Sequence, residues 1–152
     1  MIEFENEVAI DRPLADVFTF FADLQNVPRW NYFVTQVTRT STGPPAVGAT
    51  YHQVRKTDSQ DLRIVVLEEN RRFVVETIPP SKPQLRRETL YREDGKGTRI
   101  VDRWQLDTGH PGLLQKLAGR RVRSAVRENL GKLKELLESG ETVLQDGRRV
   151  SL

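Results

Sequence analysis

The amino-acid sequence predicts an α+β fold in which a curved antiparallel sheet is covered by one long helix. Three observations lead there. From Pro111 to Ser139 the apolar residues Leu114, Ala118, Val122, Ala125, Val126, Leu130, Leu133, Leu136 and Leu137 are separated by ones, threes and fours, which places them on one stripe of a single helix. Between Tyr32 and Leu106 the period falls to two, and the alternating segments are joined by links too short for parallel crossovers. No other stretch is long and periodic enough for a second major helix, so the stripe has a sheet to cover. A helix gripping a curved sheet can enclose a cavity.

Taken in order, Ile2, Phe4, Val8 and Ile10 alternate with Glu3, Glu5, Glu7 and Ala9, a half-buried strand with acids toward water; Asn6 falls among the inward set. Pro13 suits the first helical position, and Val17, Phe20, Phe21 and Leu24 follow at helical spacing, predicting a short helix from about Pro13 to Asp23. A shorter turn is expected over Asn26–Trp30. Strands are then predicted over Tyr32–Thr40, Ala49–Lys56, Asp61–Glu69, Phe73–Ile78, Leu85–Glu93 and Thr98–Asp107. Between them stand Thr42-Gly43-Pro44-Pro45, Asp58, Asn70, Pro79-Pro80 with Pro83, and Asp94-Gly95-Lys96-Gly97. Gly140 closes the long helix, as glycine at that end commonly does. One domain over residues 1–140 is expected, followed by a polar tail, 141–152. There Asp146-Gly147 signals a hairpin, mobile or ordered only by a neighbour, because an isolated hairpin is marginal in water.

Charged residues make up 30% and apolar ones 37% of the chain, which argues against disorder, and 152 residues suffice for one well-buried core. Without cysteine there are no disulfides, thiol nucleophiles or thiolate metal sites. The acidic, alternating start is unlike a secretory or transit peptide. No apolar run approaches the roughly 20 residues that cross a bilayer, so a cytoplasmic protein is expected. A net charge of +3 and a pI near 9.4 permit an anionic partner without requiring one.

Several local signatures resemble the START-like, or SRPBCC, superfamily, and within it the bacterial polyketide cyclase/dehydrase and lipid-transport type. They are the opening strand with Ile10-Asp11-Arg12-Pro13 leading to Val17 and Phe18, then Asn26-Val27-Pro28-Arg29-Trp30-Asn31, Val47-Gly48-Ala49-Thr50-Tyr51, Gly97-Thr98-Arg99-Ile100 and the closing helix. The resemblance implies a helix-grip fold: a seven-stranded curved antiparallel sheet wrapped around the C-terminal helix, two short helices after the first strand, and a hydrophobic pocket between sheet and helix. It implies little about chemistry, because the family joins ligand carriers to cyclases and hydrolases.

The hairpin at Asp94–Gly97 fixes which side chains face inward. If Glu93 pairs with Thr98, then Leu85, Arg87, Thr89, Tyr91, Ile100, Asp102, Trp104 and Leu106 share the inner face, and Arg86, Glu88, Arg92, Arg99, Arg103 and Gln105 the outer one. Arg87 and Asp102 then sit diagonally across the pair and are expected to meet as an ion pair, since unpaired buried charges cost several kcal/mol. They either anchor a ligand's polar end or form a structural pair at the pocket mouth. Asp102 and Tyr91 are the candidate acid–base residues. Trp30, Tyr51, Tyr91 and Trp104 bring aromatic area suited to a flat apolar ligand, or plain core. Val122 and Val126 line the helix side, where Asn129 is the one polar interruption of the stripe. The resemblance points Tyr51 and Gln53 inward and leaves His52 outside; His110 falls on a loop near the pocket rim.

Two isolated histidines make no metal site, and there is no phosphate loop, nucleophile elbow or dinucleotide fingerprint, so neither metal nor other cofactor is expected. Lys116, Arg120, Arg123, Arg127 and Lys134 form a second helical stripe, readable as a solvated face, an anionic interface or a subunit contact; without interleaved aromatics it argues against nucleic acid. The leading expectation is a monomer or homodimer that binds a small hydrophobic or aromatic ligand, lipid- or polyketide-like, at Trp30, Tyr51, Arg87, Tyr91, Asp102, Trp104, Val122, Val126 and Asn129. The alternatives are a cyclase- or dehydratase-type enzyme in the same cavity and an interaction module acting through the basic stripe.

Overall fold

The computed structural model describes residues 1–109 and 112–152, so the expectations placed on His110 and Pro111 lie outside the described residues. β1 (Ile2–Ile10) leads into α1 (Leu14–Ala22) and a 3₁₀ turn (Leu24–Arg29). Six strands follow: β2 (Val34–Arg39), β3 (Thr50–Arg55), β4 (Ser59–Glu68), β5 (Arg72–Thr77), β6 (Gln84–Asp94) and β7 (Gly97–Asp107). Then come α2 (Gly112–Ser139) and two short strands, β8 (Glu141–Val143) and β9 (Arg149–Ser151). The first seven strands form one antiparallel sheet in the order β1-β7-β6-β5-β4-β3-β2, which with the long closing helix gives the α+β helix-grip arrangement expected of the sequence. Pro13 differs by one place from its expected role: its carbonyl accepts the amide of Val17 at 3.1 Å, so it caps α1 instead of opening it.

Turn chemistry fixes the register. Asn70, at φ 59°, supplies the left-handed residue between β4 and β5, a conformation that asparagine tolerates better than most side chains. Gly95, at φ 61°, does the same in the two-residue loop between Asp94 and Gly97. Gly97 is constrained for another reason, since a Cβ there would stand 2.7 Å from the carbonyl oxygen of Ile10 on the neighbouring strand. Glu93 therefore pairs with Thr98, as the sequence requires, and the inner and outer faces of β6 and β7 follow. On the outer face Arg86 meets Glu76, Arg103 meets Glu5, and Arg99 reaches both Glu7 and Asp94. Such pairs, open to solvent, are screened by water and contribute little to stability.

In β4 the inward alternation of Gln60, Leu62 and Ile64 stops where the register with β5 shifts between Ile64 and Val66, a bulge that bends the strand.

α2 runs alongside β1 in the same direction. A Cβ on Gly119 would stand 3.0 Å from Ile2, the Nδ2 of Asn6 donates to the carbonyl of Arg123 at 3.2 Å, and the backbone N–H of Asp11 donates to Glu138 at 2.7 Å. From Val126 onward the apolar stripe is buried as expected, with Leu130, Leu133, Leu136 and Leu137 in the interior. Leu114 departs from that expectation at 61% exposed, with Leu117 beside it at 55%. The cause is length: β1 begins at Ile2, opposite Gly119, and gives the earlier turns no strand to lie on. Among the described residues no helix is long and apolar enough to cross a membrane.

Past Gly140, at φ 85°, the chain turns back into the β8–β9 hairpin, in which Thr142 opposes Val150. The hairpin is tied to the body. Leu144 is buried, the guanidinium of Arg29 donates to the Ser151 carbonyl at 2.6 Å, and that of Arg148 to the Pro28 carbonyl at 2.8 Å.

Candidate functional site

Between the middle of α2 and the concave face of the sheet lies a cavity of about 450 Å³. Strand parity decides its walls. β5 contributes Phe73 and Val75, β6 contributes Leu85 and Arg87, and β7 contributes Trp104 and Leu106. α2 closes the roof with Arg121, Val122, Ala125, Val126 and Asn129, while Phe21, Leu24, Val27 and Trp30 close one end. On β3 and β4, Gln53 and Gln60 are direct cross-strand partners that both face the cavity. Gln53 donates to the side-chain oxygen of Gln60 at 3.3 Å, and Gln60 donates to the Lys82 carbonyl at 3.2 Å. The walls are thus mostly apolar and aromatic, with a few placed polar groups.

The polar centre of this wall is Arg87. Its guanidinium donates through Nε and Nη2 to the two oxygens of Asp102, each at 2.8 Å, the paired geometry that carboxylates accept best. Three rings surround it, Trp104 at 4.8 Å, Phe21 at 5.2 Å and Trp30 at 5.5 Å from guanidinium carbon to ring centre. Trp104 also donates its indole N–H to Asp102 at 3.0 Å and stacks on Phe4 at 5.5 Å. The Asp102 carboxylate is 0% exposed and receives three hydrogen bonds, while the Arg87 side chain keeps 14% of its surface toward the cavity side. Burying such a pair carries a desolvation penalty, offset here by the fork, the indole donor and the ring faces.

The residues singled out in the sequence divide into two layers. Trp30, Arg87, Trp104, Val122, Val126 and Asn129 line the cavity. Asp102, Tyr51 and Tyr91 stand behind that lining. Tyr91 packs edge-on against Phe18 at 4.9 Å and Phe21 at 5.9 Å, and its hydroxyl shares a 2.7 Å hydrogen bond with Thr89. Burial pushes its phenol far above the ordinary tyrosine range, against smaller opposing effects of Thr89 and Arg87. Tyr51 lies under the guanidinium of Arg39 at 5.8 Å, and its buried hydroxyl has no partner among the described residues. Desolvation raises its pKa too, with Arg39 opposing. The buried indole nitrogen of Trp30 is likewise unpartnered, while its ring stacks on Phe21 at 5.4 Å. Asn129 accepts a hydrogen bond from Gln145 of the tail at 3.1 Å. His52 faces away from the cavity and meets Asp61 at 2.8 Å.

Sequence reasoning passed over Arg121, Arg55, Asn31 and Phe33, which all line the cavity. Arg121 left a usable signal, because it stands three residues after Ala118 and four before Ala125, at the spacing of the apolar stripe itself. Of the basic stripe, Lys134 is engaged by Glu138 at 2.7 Å and by the Ala9 carbonyl, and Arg127 reaches Asn6 at 3.5 Å. Lys116, Arg120 and Arg123 border a shallow groove against the start of β1. Among the described residues no three histidine, cysteine or carboxylate groups are grouped to hold a metal.

Residues 1–138 match the family model described as polyketide cyclase/dehydrase and lipid transport. No curated protein matches the chain in sequence. The fold is shared with a protein of Deinococcus radiodurans at TM-score 0.67 and 16% identity, over 91% of this chain and 98% of that one. It is also shared with two di-domain ARO/CYC proteins. BexL, from the BE-7585A biosynthetic pathway, aligns at TM-score 0.72 and 16% identity, over 89% of this chain and 46% of its own. StfQ, from the steffimycin pathway, aligns at 0.73 and 14% identity, over 91% of this chain and 51% of its own.

Proposed function

Because the chain belongs to the polyketide cyclase/dehydrase and lipid transport family, we propose that it is a carrier, which holds one small hydrophobic or aromatic molecule between the sheet and α2. The observation that supports this reading is the preformed cavity itself. Its volume of about 450 Å³ lies within the roughly 300–1,000 Å³ typical of small-molecule sites. Protein interiors are otherwise close-packed, and a room of this size lined by Trp30, Phe73, Trp104 and Val126 leaves apolar surface that a guest would cover. The caged Arg87 gives that guest a fixed polar landmark, because its pairing with Asp102 and the three rings hold it still. The same reading takes the protein to be cytoplasmic and to act on its ligand alone, without metal or nucleotide.

A cyclase-type enzyme is the rival, and the ARO/CYC neighbours are what favour it. Among the described lining residues, however, the ionisable side chains are the guanidinium groups of Arg55, Arg87 and Arg121, which donate hydrogen bonds and offer no acceptor. Asp102 already accepts three hydrogen bonds, and Tyr91 is held by Thr89 behind the wall. Any catalysis would therefore rest on orientation of a reactive chain more than on proton transfer.

Native mass spectrometry of the purified protein, followed by solvent extraction and a search for chemical change in what is recovered, separates the two. The carrier reading expects an unaltered co-purifying molecule on the wild type and much less on Ala125→Trp, whose ring intrudes into the cavity. If the wild type neither co-purifies with an apolar molecule nor binds one on titration, the carrier reading fails; recovery of a transformed guest gives the rival its support.

A further inference from the structure

The charges around the cavity narrow the guest to one chemical class. Three guanidinium groups line it, and no described lining residue is a carboxylate. Two of the three are cancelled from behind. Arg87 is forked onto Asp102, and Arg55 is forked onto Asp58 through two hydrogen bonds of 2.6 Å. Asp58 responds as such a partner should, its pKa held below the usual carboxylate range chiefly by the hydrogen bond from Arg55.

Arg121 is different. It is exposed while also lining the cavity, so it stands at the mouth, and it makes no hydrogen bond or ion pair with any described residue. Its neighbours one helical turn away, Leu117, Ala118, Ser124 and Ala125, are all uncharged. The rim of an apolar room therefore carries one positive charge with no partner among the described residues. A neutral guest would leave that charge unmatched, whereas a guest with an apolar body and an anionic head would fill the room and meet the guanidinium at its entrance.

Building on the carrier reading, we infer that the guest is an apolar or aromatic carboxylate whose head is bound at the cavity mouth by Arg121. A guanidinium offers two parallel N–H donors to a carboxylate, and such charge-assisted pairs are about twice as strong as neutral ones. The apolar lining accepts either a fatty chain or a fused ring system, so the shared feature is the acid.

Calorimetric titration with two matched pairs tests this, naphthoate against naphthamide and dodecanoate against dodecanamide, which differ within each pair in charge and little in shape. The wild type should bind the acid of at least one pair about tenfold more tightly than its amide at low salt. The pair that shows the effect identifies the guest's body as aromatic or aliphatic. Arg121→Gln should bring the acid down to the level of the amide, and Arg121→Lys should keep most of the preference. Acid and amide bound equally by the wild type, or a preference that survives Arg121→Gln, would overturn the inference and leave the carrier reading standing. Failure of the wild type to bind any of the four compounds would overturn the inference, and the carrier reading with it if no apolar molecule co-purifies either.

Discussion

The two halves of α2 belong to one helix and carry one apolar stripe, yet they do different work. From Leu130 to Leu137 the stripe meets a complete core: Leu133 and Leu136 are 0% exposed, and the backbone beyond them is tied to the end of β1 through Lys134, Glu138 and the Arg12 guanidinium, which donates to the Leu137 carbonyl at 2.8 Å. From Arg121 to Asn129 the same stripe overhangs a cavity, and the opposite wall answers it with aromatic rings and an ion pair set among aliphatic side chains. A closed end specified by shape anchors the helix, which frees the open end to remain unfilled. The difference teaches that an apolar stripe marks which side of a helix faces the sheet, and that what lies opposite decides whether that side becomes core or binding surface.

The largest effect expected at the open end comes from Asp102. Asp102→Ala leaves the Arg87 charge buried and unpaired, which should cost about 3–5 kcal/mol in urea denaturation. The double variant Arg87→Met with Asp102→Leu should recover most of that loss, because an apolar pair of similar volume is often as stable as the ions it replaces. Were the double variant as unstable as the single one, the wall would depend on the ion pair for its packing, and the contrast between a shaped end and a polar end would weaken. At the closed end Leu133→Ala should cost about 2–5 kcal/mol through the cavity it leaves. On the exposed first turns, Leu117→Ala should cost about 0.5 kcal/mol or less, since that side chain is already mostly in water. Equal costs at Leu133 and Leu117 would erase the division of the helix.

Most of the architecture was legible because it follows from period and turn chemistry, both local. The alternation in β6 and β7 and the Asp94–Gly97 turn were enough to bring Arg87 and Asp102 together across two strands. What local pattern does not carry is depth. Tyr91 and Asp102 share an inward face with Trp104, yet they lie behind the lining because Phe21 and the Arg87 guanidinium pack in front of them. Arg121 was missed for the converse reason: a charge beside an apolar stripe reads as solvated surface until the opposite side is known to be hollow. The tail's contacts from Gln145 to Asn129 and from Ser151 to Arg29 join residues far apart in sequence, which no local pattern announces.

A pH-dependent effect tests the clamp at the closed end. Glu138 accepts hydrogen bonds from the Lys134 ammonium and from the Asp11 backbone N–H, each at 2.7 Å. Lys134 first, and the Asp11 N–H second, hold its carboxyl below the ordinary range against a smaller desolvation effect. A carboxylate depressed in the folded state stabilises it above the unfolded pKa of about 4.3, and that contribution fades as pH falls through the folded value. Glu138→Gln should therefore be less stable than the wild type near neutrality by about 1 kcal/mol or less, a figure kept small because the group is exposed enough for solvent to screen it. The gap should close as the pH is lowered from about 5 to 3, since the wild type loses an increment that the variant never had. Paired urea titrations across that range measure the gap directly. A gap that stays constant on acidification would mean that the ionised link to Lys134 and Asp11 contributes nothing, leaving the buried leucines alone to hold the closed end.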